Sequence, residues 1–208
     1  MHAVDWYTLE VVADNREALD CVMPAAGEST RMGEWKLLLP LGSRTVIEQS
    51  VRNALSVCSR VILVTGYRAA ELHEIFNGWQ SVITVDNPEY SFGMFSSIRA
   101  GVRIARGNRF FIALADMPLI PPEIYGALSE LKLPTAGLAA ARPFCHSMKG
   151  HPVLLTAGLI DKILRFDNSH SMQDVLQGVP MSRVETQVEG VLQDLDTPED
   201  YRALSSVQ

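Results

Sequence analysis

The sequence predicts an α/β domain with one mostly parallel central sheet flanked by helices, and three observations carry that prediction. Short β-branched runs alternate with segments of helical period along nearly the whole chain, the pattern of successive βαβ units. The length, 208 residues, suits one large domain. At 47% apolar and 20% charged, the chain has the material for a buried core and lacks a disordered composition.

Residues 1–18 precede the first convincing strand and read as an N-terminal extension, which leaves 19–208 as the domain. The first strand is expected at Leu19–Met23. Thr45 and Glu48 form the capping box of a helix that carries Ile47, Val51, Ala54 and Leu55 on one face. A strand at Arg60–Thr65 leads to a helix from about Ala69 with Leu72, Ile75 and Phe76 inward. A strand at Ser81–Val85 leads to another after Gly93, with Phe95, Ile98 and Val102 inward. After a strand at Phe110–Ala115, Pro121 and Pro122 suit the first turn of a helix bearing Ile124, Leu128 and Leu131. Strands follow at Ala136–Ala140 and Pro152–Leu155. Beyond Gly158 come two short helices, the second opened by Ser171 with Asp174, then a strand at Ser182–Val188 and a last helix from Pro198. No repeat, low-complexity tract or linker rich in Gly, Pro or Ser divides the chain.

Eighteen Lys and Arg against 24 Asp and Glu give a net charge of −6, which excludes a nucleic-acid binder built on a basic face. Apolar runs such as Phe110–Ala115 fall far short of the roughly 20 residues that span a bilayer, so no membrane segment is expected. Asp5, Glu10 and Asp14 interrupt any signal-peptide pattern. Cys21, Cys58 and Cys145 are odd in number and form no CxxC pair, which suits a reduced, cytoplasmic protein.

The strongest local signal runs from Ala25 through Ala26, Gly27, Arg31 and Gly33 to Lys36, a loop of small residues that leaves the first strand and ends in a lysine. In a doubly wound sheet, ligands bind beyond the carboxyl ends of the strands, where this loop falls. Small residues let backbone N–H groups approach phosphate oxygens, and Arg31 and Lys36 can neutralise them. The loop is neither a Walker A loop nor GxGxxG, so ordinary ATPase and dinucleotide readings are excluded. Lysine is scarce, four of the eighteen basic residues, and one of them closes this loop.

Asp116 ends the apolar run Phe110–Ala115. A carboxylate there is costly to bury unless paired or bound to a metal, and it reads as a magnesium ligand. Asp194 and Asp196 alternate on an extended segment and so share a side, directly before a helix whose N-cap is Thr197. Either can serve a metal, and alternation alone does not choose. Gly93, Ser96 and Ser97 sit at a loop-to-helix junction where N–H groups and hydroxyls can hold a ribose, base or phosphate. His151 precedes a short strand and suits a structural role as well as a functional one. His73, beside Glu71 and Glu74, reads as a solvated helix face.

These blocks, in this order from about Cys21 to Tyr201, resemble the nucleotidyltransferase family of molybdenum cofactor cytidylyltransferases and guanylyltransferases. The carrying segments are Ala25 to Lys36, Gly93 to Gly101, Leu114 to Pro118, and Gly150-His151-Pro152 with Asp194 to Asp200. Gly33 to Lys36, Val64 to Arg68 and Glu71 to Glu74 are most similar to the accessory proteins of molybdenum hydroxylases. The resemblance implies a single-domain, Rossmann-like nucleotidyltransferase fold and transfer of CMP from CTP to molybdopterin or molybdenum cofactor, with a molybdenum hydroxylase apo-enzyme as a further partner. It implies that Ala25, Ala26, Gly27, Arg31 and Lys36 cradle the triphosphate, with Arg31, Lys36 and Asp116 catalytic, and that Gly93, Ser96 and Ser97 lie near the nucleoside. It places Mg2+ on Asp116 and Asp196, and His151 nearer the acceptor. Ala25-Ala26-Gly27 is more like the cytidylyl branch, which makes CTP the expected donor. Two features depart from the family: Pro24 at the end of a central strand, and Asn168 to Met172 in place of a Gly-Ala-Arg type of segment.

Overall fold

The computed structural model describes residues 18–28, 34–134 and 137–205. Arg31, Gly33 and all of the expected N-terminal extension except Ala18 lie outside the described residues.

The main sheet has seven strands along its length, in the spatial order β10, β7, β9, β6, β1, β4, β5, with the two-residue β8 paired to β7. They are β1 (Asp20–Pro24), β4 (Arg60–Thr65), β5 (Val82–Asp86), β6 (Arg109–Ile112), β7 (Ala140–Cys145), β8 (Met148–Lys149), β9 (Val153–Thr156) and β10 (Met181–Glu185). β6, β1, β4 and β5 run parallel, as do β7 and β10, while β9 runs against both its neighbours. A small hairpin, β2 (Pro40–Leu41) with β3 (Arg44–Thr45), stands apart.

Both faces of the sheet are covered, and period-two alternation sorts the side chains between them. Cys21, Met23, Val61, Leu63 and Phe111 face α1 (Val46–Leu55), α2 (Ala69–Ile75) and α4 (Pro122–Ser129). Val22, Ile62, Val64, Phe110 and Ile112 face α3 (Met94–Val102), α5 (Gly158–Arg165) and α6 (Met172–Leu176). The caps form as expected. Glu48 and Thr45 bond reciprocally at α1, Asp174 and Ser171 at α6, and Asp200 and Thr197 at α7 (Pro198–Ser205). His73 of α2 pairs with Asp86 of β5 at 2.8 Å and so does more than face solvent.

Gly101 lets α3 ride close on the sheet, because a Cβ there would overlap Val22 Cγ1 and meet Val64 Cγ2 at 2.9 Å. The chain passes from β1 to β4 and β5 on one side, then returns to place β6 on the other. The sheet therefore has its switch point between β1 and β6, where α/β sheets hold their ligands.

Of the strand expected at Ala136–Ala140, Ala136 lies outside the described residues, and the strand formed here is β7, at Ala140–Cys145. Arg142 and Pro143 disguised it. On the side of the Pro143 nitrogen the pairing with β9 ends after Ala141 and Gly150 stands opposite; Gly150 N donates to Pro143 O at 2.8 Å, and the return bond that Pro143 has no N–H to give is supplied to Gly150 O by the Arg142 guanidinium. β6 is shorter than Phe110–Ala115, and β10 ends before Val188. The hairpin of β2 and β3 and the two residues of β8 carry too little periodicity to be read in advance.

Candidate active site

Pro24 shapes the mouth of the switch point. Ala25 N donates to Val64 O of β4 at 2.8 Å, so the neighbouring Pro24 nitrogen faces β6, where it has no proton to give. Pairing between β1 and β6 ends at Val22 and Ile112, and the two chains part from there.

The first residues after β1, 25–27, are fixed by their own carbonyls. Tyr67 N donates to Ala26 O at 3.2 Å, and Trp35 Nε1 donates to Gly27 O at 3.1 Å. The Trp35 ring meets Tyr67 edge-on, and the Arg68 guanidinium lies over the Trp35 ring, 4.8 Å from its centroid. Small residues are needed because Gly66 packs on Ala26 and Tyr90, with no room for a Cβ. Trp35 thereby delivers Lys36 into the crevice.

There Lys36 Nζ lies 2.5 Å from Asp116 Oδ2 and 2.9 Å from Asp196 Oδ1, all three side chains at least 70% buried. Asp116 O accepts from Leu195 N at 3.2 Å, which tethers the C-terminal segment to the end of β6. Leu195 packs with Leu41 and Val46, and Asp194 and Asp196 on either side of it both line the cleft. Burial alone would lower the Lys36 pKa, but Asp116 and Asp196 together outweigh it and hold the ammonium above its ordinary value. Burial, then the nearby Asp196 and Asp116, push the Asp194 carboxyl up.

These groups line a cleft of about 340 Å³, together with Ala25, Ala26, Gly27, Tyr90, Gly93, Met94 and Ser97. Gly93 has φ +99°, a backbone that a side chain would strain, and it opens α3 at the cleft's rim. Ser96 does not line the cleft. Its hydroxyl bonds to Glu89 O and Gly93 O and receives Asn87 Nδ2, bracing the loop that carries Tyr90. Asn87 Nδ2 also reaches Ser97 Oγ at 3.0 Å.

A second cavity of about 550 Å³ adjoins the first across Met94 and Leu114. Its walls are largely apolar, among them Phe92, Phe95, Ile98 and Met172, with Arg142, His151, His170, Ser171 and Gln173 as the polar exceptions. Burial, and then the charge of Arg142, push the His151 imidazole down to about 4, so it is neutral at pH 7. Its Nδ1 is buried with no hydrogen-bond partner. Arg142 Nε and Nη2 both donate to Gly150 O, at 3.0 and 2.8 Å.

The fold thus gathers Ala25, Ala26, Gly27, Lys36, Gly93, Ser97, Asp116 and Asp196 at one cleft and puts His151 in the next. Arg142, His170 and Tyr90 were not singled out from the sequence. The signal for Arg142 was a charge inside the otherwise apolar run from Ala139 to Cys145; the other two had none.

Among the described residues, no group of three His, Cys, Asp or Glu is placed to hold a metal by itself. Two carboxylates converging on one cation nevertheless suit magnesium, which takes one or two protein oxygens and completes its shell with water and substrate phosphates. No helix among the described residues is long and apolar enough to cross a membrane.

The family described as the MobA-like NTP transferase domain matches residues 21–187. The chain is 34% identical over 184 residues to the molybdenum cofactor cytidylyltransferase of Escherichia coli (strain K12), covering 88% of this chain and 94% of that protein. It is 32% identical over 107 residues to a probable molybdenum cofactor guanylyltransferase of Carboxydothermus hydrogenoformans, covering 51% of this chain and 50% of that one. A nucleotidyl transferase structure from Methanothermobacter superposes with a TM-score of 0.75 at 27% identity, over 91% of this chain and 97% of that one.

Proposed function

The chain belongs to the MobA-like NTP transferase family and is a nucleotidyltransferase, and from that premise we propose that it transfers CMP from CTP to the terminal phosphate of molybdopterin or molybdenum cofactor, releasing pyrophosphate. One observation carries the reading: Lys36, Asp116 and Asp196 converge at the switch point of the sheet, and a second, largely apolar cavity opens beside them. Donor and acceptor can then meet end to end at the boundary of the two cavities. The choice of CTP is supported by the likeness to the E. coli cytidylyltransferase over most of the chain and by Ala25-Ala26-Gly27.

The acceptor phosphate attacks the α-phosphorus of CTP in line, and the bond to the β-phosphate oxygen breaks. A phosphate monoester has a second pKa of about 6, so the nucleophile is mostly a dianion near pH 7 and needs no general base. What remains for the protein is positioning and charge. Lys36, with Arg31, holds the β- and γ-phosphates as charge builds on the leaving pyrophosphate, and the loop at Ala25, Ala26 and Gly27 lies against the triphosphate. Gly93 and Ser97 face the nucleoside, with Ser96 bracing their loop, and neutral His151 faces the acceptor's ring system. Asp116 and Asp196 would hold Mg2+. Bound there, the metal neutralises two anions that otherwise repel each other. Three free, buried cysteines suit a reducing compartment, and we place the enzyme in the cytoplasm, serving maturation of molybdenum hydroxylases.

The test is pyrophosphate release with CTP, GTP, ATP and UTP, each with magnesium and with or without molybdopterin. Release that requires both CTP and molybdopterin is expected. Equal release with all four nucleotides overturns the donor, and nucleotide binding without turnover turns the protein into a carrier.

A further inference from the structure

The second cavity is walled by two loops from distant parts of the chain. One runs from Asn87 into α3 and brings Phe92 and Met94; the other precedes α6 and brings His170 and Ser171. Asn168 joins them. Its Oδ1 accepts from Arg99 Nη1 of α3 at 2.5 Å, and its Nδ2 donates to Glu89 Oε2 at 3.3 Å. The amide stands between a cation and an anion, each end turned to the group it suits. Glu89 is held in place in turn, since its N–H donates to Asn87 Oδ1 at 3.0 Å and its carbonyl accepts from Ser96 Oγ at 2.9 Å. Arg99 Nε is buried with no partner, which makes the Nη1 bond costly to lose.

We propose that Asn168 is a positioning residue for the phosphorylated acceptor: by tying Arg99 to Glu89 it fixes the spacing of the cavity's two walls and so sets acceptor affinity, without touching the reacting phosphates. The proposal rests on reading the second cavity as the acceptor's. It belongs to this chain in particular, because residues 168–172 are where the sequence departs from the family pattern.

The polarity of the tie supplies the test. N168D keeps the bond from Arg99 but sets two carboxylates face to face. E89Q alone is close to neutral, because its amide oxygen still accepts from Asn168. The double variant restores a donor opposite the introduced carboxylate. In steady-state assays with CTP, magnesium and molybdopterin, N168D should raise the acceptor KM about tenfold, the scale of one hydrogen bond to a charged group. The KM for CTP should rise less than that for the acceptor, kcat should move less than about twofold, and E89Q/N168D should recover. An unchanged acceptor KM, an equal rise for CTP, or no recovery in the double variant overturns the proposal. Should the wild type bind CTP yet release no pyrophosphate with molybdopterin, the acceptor reading fails. Amide hydrogen exchange then judges the tie itself: residues 87–93 and 167–171 should exchange faster together in N168D and recover in the double variant, and unchanged exchange overturns it.

Discussion

Lys36 and Asp116 form the tightest pair in the cleft, Nζ to Oδ2 at 2.5 Å, and Asp196 closes on the same ammonium from the far end of the chain. One cation therefore holds together the ends of three segments: the first loop, the extension of β6 and the stretch before α7. With Asp194 also in the cleft, carboxylates outnumber it there three to one among the described residues lining the site. An acidic chain can receive a triphosphate at such a place when a divalent cation comes with it.

Lys36→Met should cut pyrophosphate release by about a hundredfold or more, the usual cost of one charge-stabilising contact in the transition state. Circular dichroism should show the fold retained, because the core lies elsewhere. A variant within about threefold of wild type would remove Lys36 from the leaving-group role.

Asp116→Asn and Asp196→Asn should each lower kcat by a similar factor of about a hundred. Titration of Mn2+ by its paramagnetic resonance signal in the presence of CTP should show weakened metal binding in both. If metal binding is unchanged in both, the metal assignment fails even where activity is lost.

Trp35→Phe removes the N–H that holds Gly27 O while keeping the ring against Tyr67. The loss of one neutral hydrogen bond, about 1 kcal/mol, should raise the KM for CTP roughly fivefold and leave the acceptor KM unchanged. Equal effects on both substrates would mean that Trp35 supports the whole fold and not the donor loop.

Gly101→Ala drives a methyl into Val22 Cγ1, and the better helix propensity of alanine cannot offset that overlap. Overpacking of this kind costs about 2 kcal/mol, which for a domain of this size lowers Tm by roughly 4 to 8 °C. An unchanged Tm would show that α3 can lift off the sheet freely.

What was legible in the sequence follows a physical divide. Local chemistry read well: Thr45 with Glu48, Ser171 with Asp174, and the β4 run Arg60–Thr65 were identifiable because capping and alternation are short-range. The convergence of Asp116 and Asp196 is expected only through family resemblance, since the two stand 80 positions apart, out of reach of any local pattern. The bounds of β7 are hidden because Arg142 and Pro143 break its apolar run for reasons of tertiary contact: Pro143 has no N–H for Gly150 O, and Arg142 binds that carbonyl in its place. The tie through Asn168 was invisible for the same cause. It depends on which loops meet across the second cavity, and nothing near residue 168 says that Glu89 is its neighbour.

His151 yields a pH dependence whose sign is fixed by its environment. Its pKa is about 4 in the folded protein and 6.5, the ordinary imidazole value, in the unfolded chain, so between these values only the unfolded chain takes the proton. The stability of the folded protein is therefore complete above about pH 6.5, falls as the pH drops toward 4, and levels off below that. The full difference is at most about 3 kcal/mol at 1.36 kcal/mol per unit. His151→Gln has no such proton to take, and denaturant unfolding between pH 7 and 4 should show a shallower loss of stability than wild type. Parallel curves for the two proteins would mean that the imidazole titrates normally, and that the Arg142 charge and the enclosing walls leave it more solvated than the buried ring indicates.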